Sequence, residues 1–470
     1  MKRRTPILLL GTLSLAACGH LSPQRAAAVS TGYVSHQLCT AVFVGGRDPQ
    51  TYYRDAVGPL AGPLAALVDY TVDTERHEVR ARIAGMVESR AVFRPPYGCS
   101  FGRAPGPDLP APEPSPLPAA PSEALVQTSD PALATALDHA FEENAEPPYR
   151  HTEAVVVMHR GRIVAERYAS DVGVDTPLAG WSATKSVTNA LIGILVHQGR
   201  LALHGPAPIA AWADPADPRH AISVDELLRM NSGLDMGQSI RAGLSTAFDP
   251  TAQMIFVDAD TAADAERAGL ANAPGTAWNY TNANTQLLSR IVRDQAGGTA
   301  AATLAFARRE LFDKLGMRHV TLEFDGAGTP IGASHMWAPA RDWARFGQLY
   351  LHDGVIDGER LLPAGWVDDS ATPTPGAEDY GYGAGFWTNR GAGSGARYRI
   401  EHGMPAESFM ARGSHGQYVV IVPSKELVIA RLGPAWTPRD DMDRVAQLTR
   451  EVIAALNPER ATAPTGAPPH

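Results

Sequence analysis

The chain has 470 residues, 41 of them basic and 50 acidic, for a net charge of −9; without Lys2, Arg3 and Arg4 it is −12 (38 basic minus 50 acidic). An acidic chain with no basic cluster is a poor nucleic-acid binder. Charged residues make up 19% and hydrophobic ones 44%, with no internal apolar run of 18 residues or more. The body therefore reads as globular, with core enough for two to three domains.

Residues 1–17 read as a lipoprotein signal peptide. Met1-Lys2-Arg3-Arg4 is a basic start, and Ile7 to Ala17 is an apolar stretch too short to span a bilayer. It ends in Leu15-Ala16-Ala17-Cys18, which resembles a bacterial lipobox. That resemblance implies cleavage before Cys18, lipidation of this cysteine and a membrane anchor. Gly19 rather than Asp follows, which fits sorting to the outer membrane. The plainer alternative is secretion with a chance cysteine. In both cases the mature chain is expected in the periplasm or beyond, an oxidising compartment.

Cys39 and Cys99 are the remaining cysteines. An even pair near the two ends of one segment of an exported protein reads as a disulfide, with two buried thiols as the alternative. Between them, Val68–Val72 and Val79–Ile83 alternate apolar and polar around a turn, which predicts a hairpin. Residues 18–104 are thus expected to form a small α/β domain. Eight prolines follow within residues 105–121, so 105–122 reads as a polyproline-type linker reaching about 50 Å if extended.

Residues 123–457 carry the rest. Asp130-Pro131 opens a helix with Leu133, Leu137, Ala140 and Phe141 on one face. A hairpin follows at 154–165, turning at Arg160-Gly161, and a matching one lies at 418–430. The last helix carries Met442, Val445, Thr449, Val452 and Leu456 at helical spacing. Strands at both ends and a helical middle, about 182–350, predict one α/β domain with an α-rich insert. The Pro/Ala-rich tail, 458–470, reads as disordered.

The chemistry centres on Gly180-Trp181-Ser182-Ala183-Thr184-Lys185. Ser182 and Lys185, three apart on a helix, share one face, and Ser182 falls in the first turn, where free N–H groups favour an oxyanion. The chain has four lysines against 37 arginines, and only Lys185 has a serine three residues before it. A base must be able to lose its proton, and a guanidinium cannot. Tyr280-Thr281-Asn282 follows 98 residues after Ser182. A tyrosine beside this pair can shuttle a proton if the ammonium lowers its pKa, and Asn282 can donate to an acyl oxygen or hold the lysine. Arg412-Gly413-Ser414-His415-Gly416-Gln417 precedes a strand, and its two glycines fit either close backbone approach to a ligand or a simple bend.

In this order the three motifs resemble the serine β-lactamase and penicillin-binding-protein superfamily over about residues 130–456. Tyr-x-Asn is the form of class C β-lactamases, related esterases and 6-aminohexanoate-dimer hydrolases. Leu227–Leu234, the Ala340–Gly347 helix and Tyr380-Gly381-Tyr382-Gly383 are similar to the same branch. The resemblance implies an antiparallel β-sheet flanked by helices with an all-helical subdomain. It also implies Ser182 as nucleophile, Lys185 or Tyr280 as base, and an oxyanion site between the backbone N–H groups of Ser182 and Gln417. Ser414 stands where a β-lactamase has lysine, and His415 and Gly416 complete that triplet. The departure favours an esterase or amidase acting on small-molecule esters or amides, without cofactor or metal. A β-lactamase, a penicillin-binding sensor that acylates without turnover and an inactive envelope scaffold are the alternatives. The chain has no His-Glu-x-x-His, no zinc-type histidine spacing and no Gly-x-Ser-x-Gly elbow.

Overall fold

Ser22 caps the first helix, α1 (Pro23–Phe43), and Pro23 occupies its first turn, where no backbone donor is lost. The computed structural model describes residues 22–61, 67–83, 87–101, 124–239 and 244–457. The leader, Cys18, the proline-rich linker and the tail lie outside the described residues. α1 packs on an antiparallel meander of β1 (Val68–Asp73), β2 (Glu78–Ile83), β3 (Val87–Phe93) and β4 (Cys99–Phe101). The first two strands form the expected hairpin, with Val72 opposite Val79; the other two had no clean alternation to announce them.

Cys39 of α1 and Cys99 of β4 are joined by a disulfide. The cross-link closes a loop of 60 residues, worth about 4 kcal/mol in the chain-entropy view. Denaturant melts of the paired Cys39→Ser and Cys99→Ser variant are expected to show a loss of that order. The core beneath α1 is shared with the rest of the chain. Trp337 belongs to the same buried cluster, and Trp181 and Phe256 pack against it. Gly32 is one reason the packing is close, because a Cβ there would meet the Phe256 carbonyl oxygen at 2.0 Å.

The larger part of the chain begins with α2 (Pro131–Phe141), whose cap Asp130 accepts from Ala132 N at 2.7 Å. β5 (Ala154–His159) and β6 (Arg162–Tyr168) follow, with Arg160 and Gly161 both at positive φ, as a tight two-residue hairpin requires. The helical layer is built on α3 (Thr184–His197), α4 (Asn282–Ala296) and α5 (Ala340–Leu351). β7 (Trp387–Thr388), β8 (Phe409–Gly413), β9 (Gln417–Val422) and β10 (Leu427–Leu432) return to the sheet, and α6 (Met442–Ala455) closes it.

The six strands run β7-β8-β9-β10-β5-β6, every pair antiparallel. The two distant hairpins thus meet at β10 and β5, with Leu432 opposite Ala154. The strands read as apolar runs because both faces are covered. Val156, Val419 and Val428 face the α3/α5 layer, while Val155, Val420 and Ile429 face α2 and α6. Gly347 lets α5 close on the sheet, since a Cβ there would lie 2.6 Å from Val428. This is the expected antiparallel sheet flanked by helices with a helical subdomain.

Candidate active site

A short three-stranded sheet (Leu178–Ala179, Met336–Ala338, Thr321–Leu322) delivers the chain to the site. Gly180 N donates to Met336 O at 2.9 Å, and the chain then turns through one 3₁₀ turn, Trp181–Ala183, into α3. Gly180 must be small: a Cβ would sit 2.1 Å from the Trp343 ring. Trp181 adopts φ 46° just before Ser182, the kind of backbone strain that functional sites store. Its ring is held between Tyr33 of α1 (6.2 Å) and His415 (5.9 Å).

Lys185 is the buried centre of the arrangement, 2% exposed. Its Nζ lies 3.2 Å from Ser182 Oγ, 2.7 Å from Asn282 Oδ1 and 2.8 Å from Ala333 O. Burial lowers its pKa to about 7. Two of its neighbours are carbonyl oxygens that can only accept. A neutral amine keeps two N–H donors for them and turns its lone pair to the Ser182 hydroxyl. Asn282 therefore holds the lysine, one of the two roles open to it from sequence.

Tyr280 lines the cleft beside Ser182, and its phenol departs from its ordinary pKa. Lys185 Nζ sits over the ring face, 5.1 Å from the centroid. Burial pushes the phenol up to about 12, and the nearby Ser182 hydroxyl and Arg412 charge offset only part of that rise. The condition for a phenolate shuttle, a lowered pKa, is not met: Tyr280 stays protonated near neutrality. Tyr382 (5.4 Å) and Trp387 (5.6 Å) fix the ring.

These side chains open on a cleft of about 570 Å³. Ser182, Tyr280, Gly413 and Ser414 line it, together with Ser239, Tyr380, Trp387, Arg412 and Arg439. Of Ser414, His415, Gly416 and Gln417 only Ser414 lines this space. His415 is buried against Trp436, with ring centres 4.2 Å apart. The Gly416 carbonyl accepts from Arg431. Gln417 Nε2 donates to the His415 and Gly433 carbonyls and its Oε1 accepts from Gly433 N, so the side chain braces the turn. Residues 414–416 are a hairpin turn between β8 and β9, not the start of a strand.

β8 is the strand that touches the nucleophile's turn. A Cβ on Gly413 would meet Gly180 O at 2.1 Å and Trp181 Cβ at 2.9 Å. Gly413→Ala is expected to push β8 off Ser182 and cost about 100-fold in kcat, read by steady-state ester hydrolysis alongside a thermal melt. β7 pairs only with Phe409 and Met410, so beyond them that edge of β8 has no strand partner among the described residues.

Arg412 was missed as a site residue. Its guanidinium stacks on Trp387 (5.1 Å) and Tyr418 (5.6 Å) and pairs with Asp440 at 2.9 Å. Reading 409–413 as a strand would have put Arg412 on one face with Met410 and in reach of the cleft. Tyr380, quoted only for its likeness to the branch, stacks on Trp278 at 4.8 Å and forms the opposite wall.

Comparison with known proteins agrees with this geometry. The 6-aminohexanoate-dimer hydrolase of Paenarthrobacter ureafaciens is 28% identical over 337 residues, covering 69% of this chain and 81% of that protein. A family VIII carboxylesterase shares the fold at TM-score 0.52 and 12% identity, over 71% of this chain and 99% of its own. A class C β-lactamase from Rhodobacter sphaeroides does so at TM-score 0.50 and 18% identity, over 69% and 98%. The family model described as Beta-lactamase matches residues 138–453, both walls of the cleft included. The chain belongs to the beta-lactamase family of serine hydrolases.

Proposed function

We propose that the protein hydrolyses short linear esters or amides through an acyl-enzyme on Ser182. The observation that carries this reading is a buried lysine of pKa about 7 within 3.2 Å of the Ser182 hydroxyl. Neutral Lys185 takes the serine proton as Oγ attacks the carbonyl carbon. The oxyanion is received by the Ser182 N–H and by the partnerless edge of β8, rather than by Gln417. Lys185 gives the proton it took from Ser182 to the leaving alcohol or amine, while Tyr280, a protonated phenol in the same cleft, donates a hydrogen bond to that group. Water then enters by the same route in reverse and releases the acid.

The preference for linear substrates rests on the cleft and on the named activity of the Paenarthrobacter relative. Aromatic walls at Tyr280, Tyr380, Trp387 and Tyr398 suit an aliphatic chain. A class C-like β-lactamase is the second reading, favoured by Arg412, a cation able to hold a carboxylate. Asp440 already neutralises much of that charge. Purified protein is expected to turn over p-nitrophenyl butyrate and 6-aminohexanoate-type amides while nitrocefin is cleaved about 100-fold more slowly. Nitrocefin cleavage at the faster rate would replace the first reading by the second.

We also assign the protein to the outer membrane's periplasmic face, anchored through lipidated Cys18. The lipobox-like sequence and the disulfide support this placement. Radiolabelled palmitate incorporation, lost in Cys18→Ser, tests it.

A further inference from the structure

Behind Lys185, on the side away from the cleft, three side chains far apart in sequence converge at the seam between α1 and the catalytic domain. His36 comes from α1; Glu323 and His335 flank a loop that runs between two strands of the short three-stranded sheet. Their exposures are 0%, 0% and 1%. One nitrogen or oxygen from each lies within 4.8 Å of the other two.

The hydrogen bonding around them is half complete. Glu323 Oε1 accepts from Cys99 N and Thr40 Oγ1, both at 2.8 Å. Its Oε2 has no hydrogen-bond partner and lies 3.5 Å from His36 Nε2. His36 Nε2 is 3.1 Å from Cys99 O, and its Nδ1 has no partner. His335 Nδ1 is 2.6 Å from Ser334 Oγ, and its Nε2 has no partner. Each of the three side chains thus buries one polar atom without a hydrogen-bond partner, which is costly unless something binds there. His335 spends Nδ1 on Ser334 Oγ and keeps Nε2 free, the arrangement of a metal-ligating histidine, while His36 turns Nε2 to both Glu323 Oε2 and Cys99 O. Phe101 (5.4 Å from the His36 ring) and Phe256 (5.7 Å from the His335 ring) wall the space with apolar surface.

We propose that His36, Glu323 and His335 form a buried site for a divalent zinc-type cation that ties α1 to the catalytic domain behind Lys185. Two imidazoles and one carboxylate are a borderline donor set that suits Zn²⁺ over Mg²⁺ or Ca²⁺, which prefer all-oxygen sites. A water completes a tetrahedron. Ligands of one zinc stand roughly 3.4 Å apart at Zn–N and Zn–O bond lengths of about 2.0 Å, so the three side chains draw in slightly as the ion enters. The site is structural rather than part of the hydrolytic step. It locks the loop through Ala333, whose carbonyl accepts from Lys185, to a helix that the disulfide also fixes.

The test uses the full chain, stripped with dipicolinate and dialysed. Added Zn²⁺ is expected to bind at one equivalent per chain, by elemental analysis of the desalted protein, and to raise Tm by about 5 °C. Co²⁺ in its place is expected to give the intense visible bands of a tetrahedral nitrogen–oxygen site. His36→Gln and His335→Gln are expected to lose at least about 100-fold in affinity; the Co²⁺ spectrum of the unaltered chain stands whether or not these variants fold. Stripped protein that retains no Zn²⁺ after desalting, or that gives the weak octahedral Co²⁺ spectrum, would overturn the proposal. Esterase activity is not its readout, so failure here leaves the Ser182 reading intact.

Discussion

Ser182→Ala is expected to lower kcat/KM for p-nitrophenyl butyrate by about 10⁴- to 10⁶-fold. Among the described residues, Ser182 is the hydroxyl that both touches Lys185 Nζ and lines the cleft with Tyr280. Removing Oγ deletes the atom that forms the acyl bond, and no neighbour can replace it. Ser239 and Ser414 also line the cleft, but neither has a bond to Lys185. The residue is only half-buried, so a thermal melt is expected to stay within a few degrees of wild type. A residual rate above about one hundredth of wild type would mean that another group is acylated or that water attacks directly.

Lys185→Met is expected to cost about 10³- to 10⁴-fold in kcat with a smaller change in KM, the signature of a lost proton acceptor. Lys185→Arg is expected to rescue nothing, because a guanidinium holds its proton throughout the accessible range. The pH profile gives the same information without a mutation. The active form is the neutral amine, so kcat/KM rises with pH through an apparent pKa of about 7. Below it the ammonium accumulates, and at pH 5 about 1% of the plateau remains. Tyr280, pushed up to about 12, adds no alkaline fall below about pH 10. A flat profile from pH 5 to 8 would remove Lys185 as the base.

Much of this was legible in the sequence because it is local. The Ser-x-x-Lys pair needs only helical spacing. The apolar runs at 154–158 and 418–422 name strands covered on both faces, and Asp130-Pro131 marks the start of its helix at the right residue. What the sequence hid depends on tertiary neighbours. The tilt of the Lys185–Tyr280 contact, ammonium over ring face rather than at the phenol oxygen, is set by Tyr382 and Trp387 packing on Tyr280. Without it the direction of the Tyr280 shift stayed open. β8 escaped notice because Phe409-Met410-Ala411-Arg412-Gly413 lacks clean alternation, and with it went Arg412. His36, Glu323 and His335 stand 287 and 12 residues apart (323 minus 36, 335 minus 323), so no spacing rule could join them.

The central claim is that Ser182 is a nucleophile activated by a neutral lysine. Intact-mass spectrometry after exposure to a fluorophosphonate tests it most directly. Wild type is expected to gain one phosphonyl group, mapped to the peptide holding Ser182, with a labelling rate that rises through pH 7, and Ser182→Ala is expected to gain none. Wild type that takes no label between pH 6 and 9, or takes it on another residue, would contradict the account.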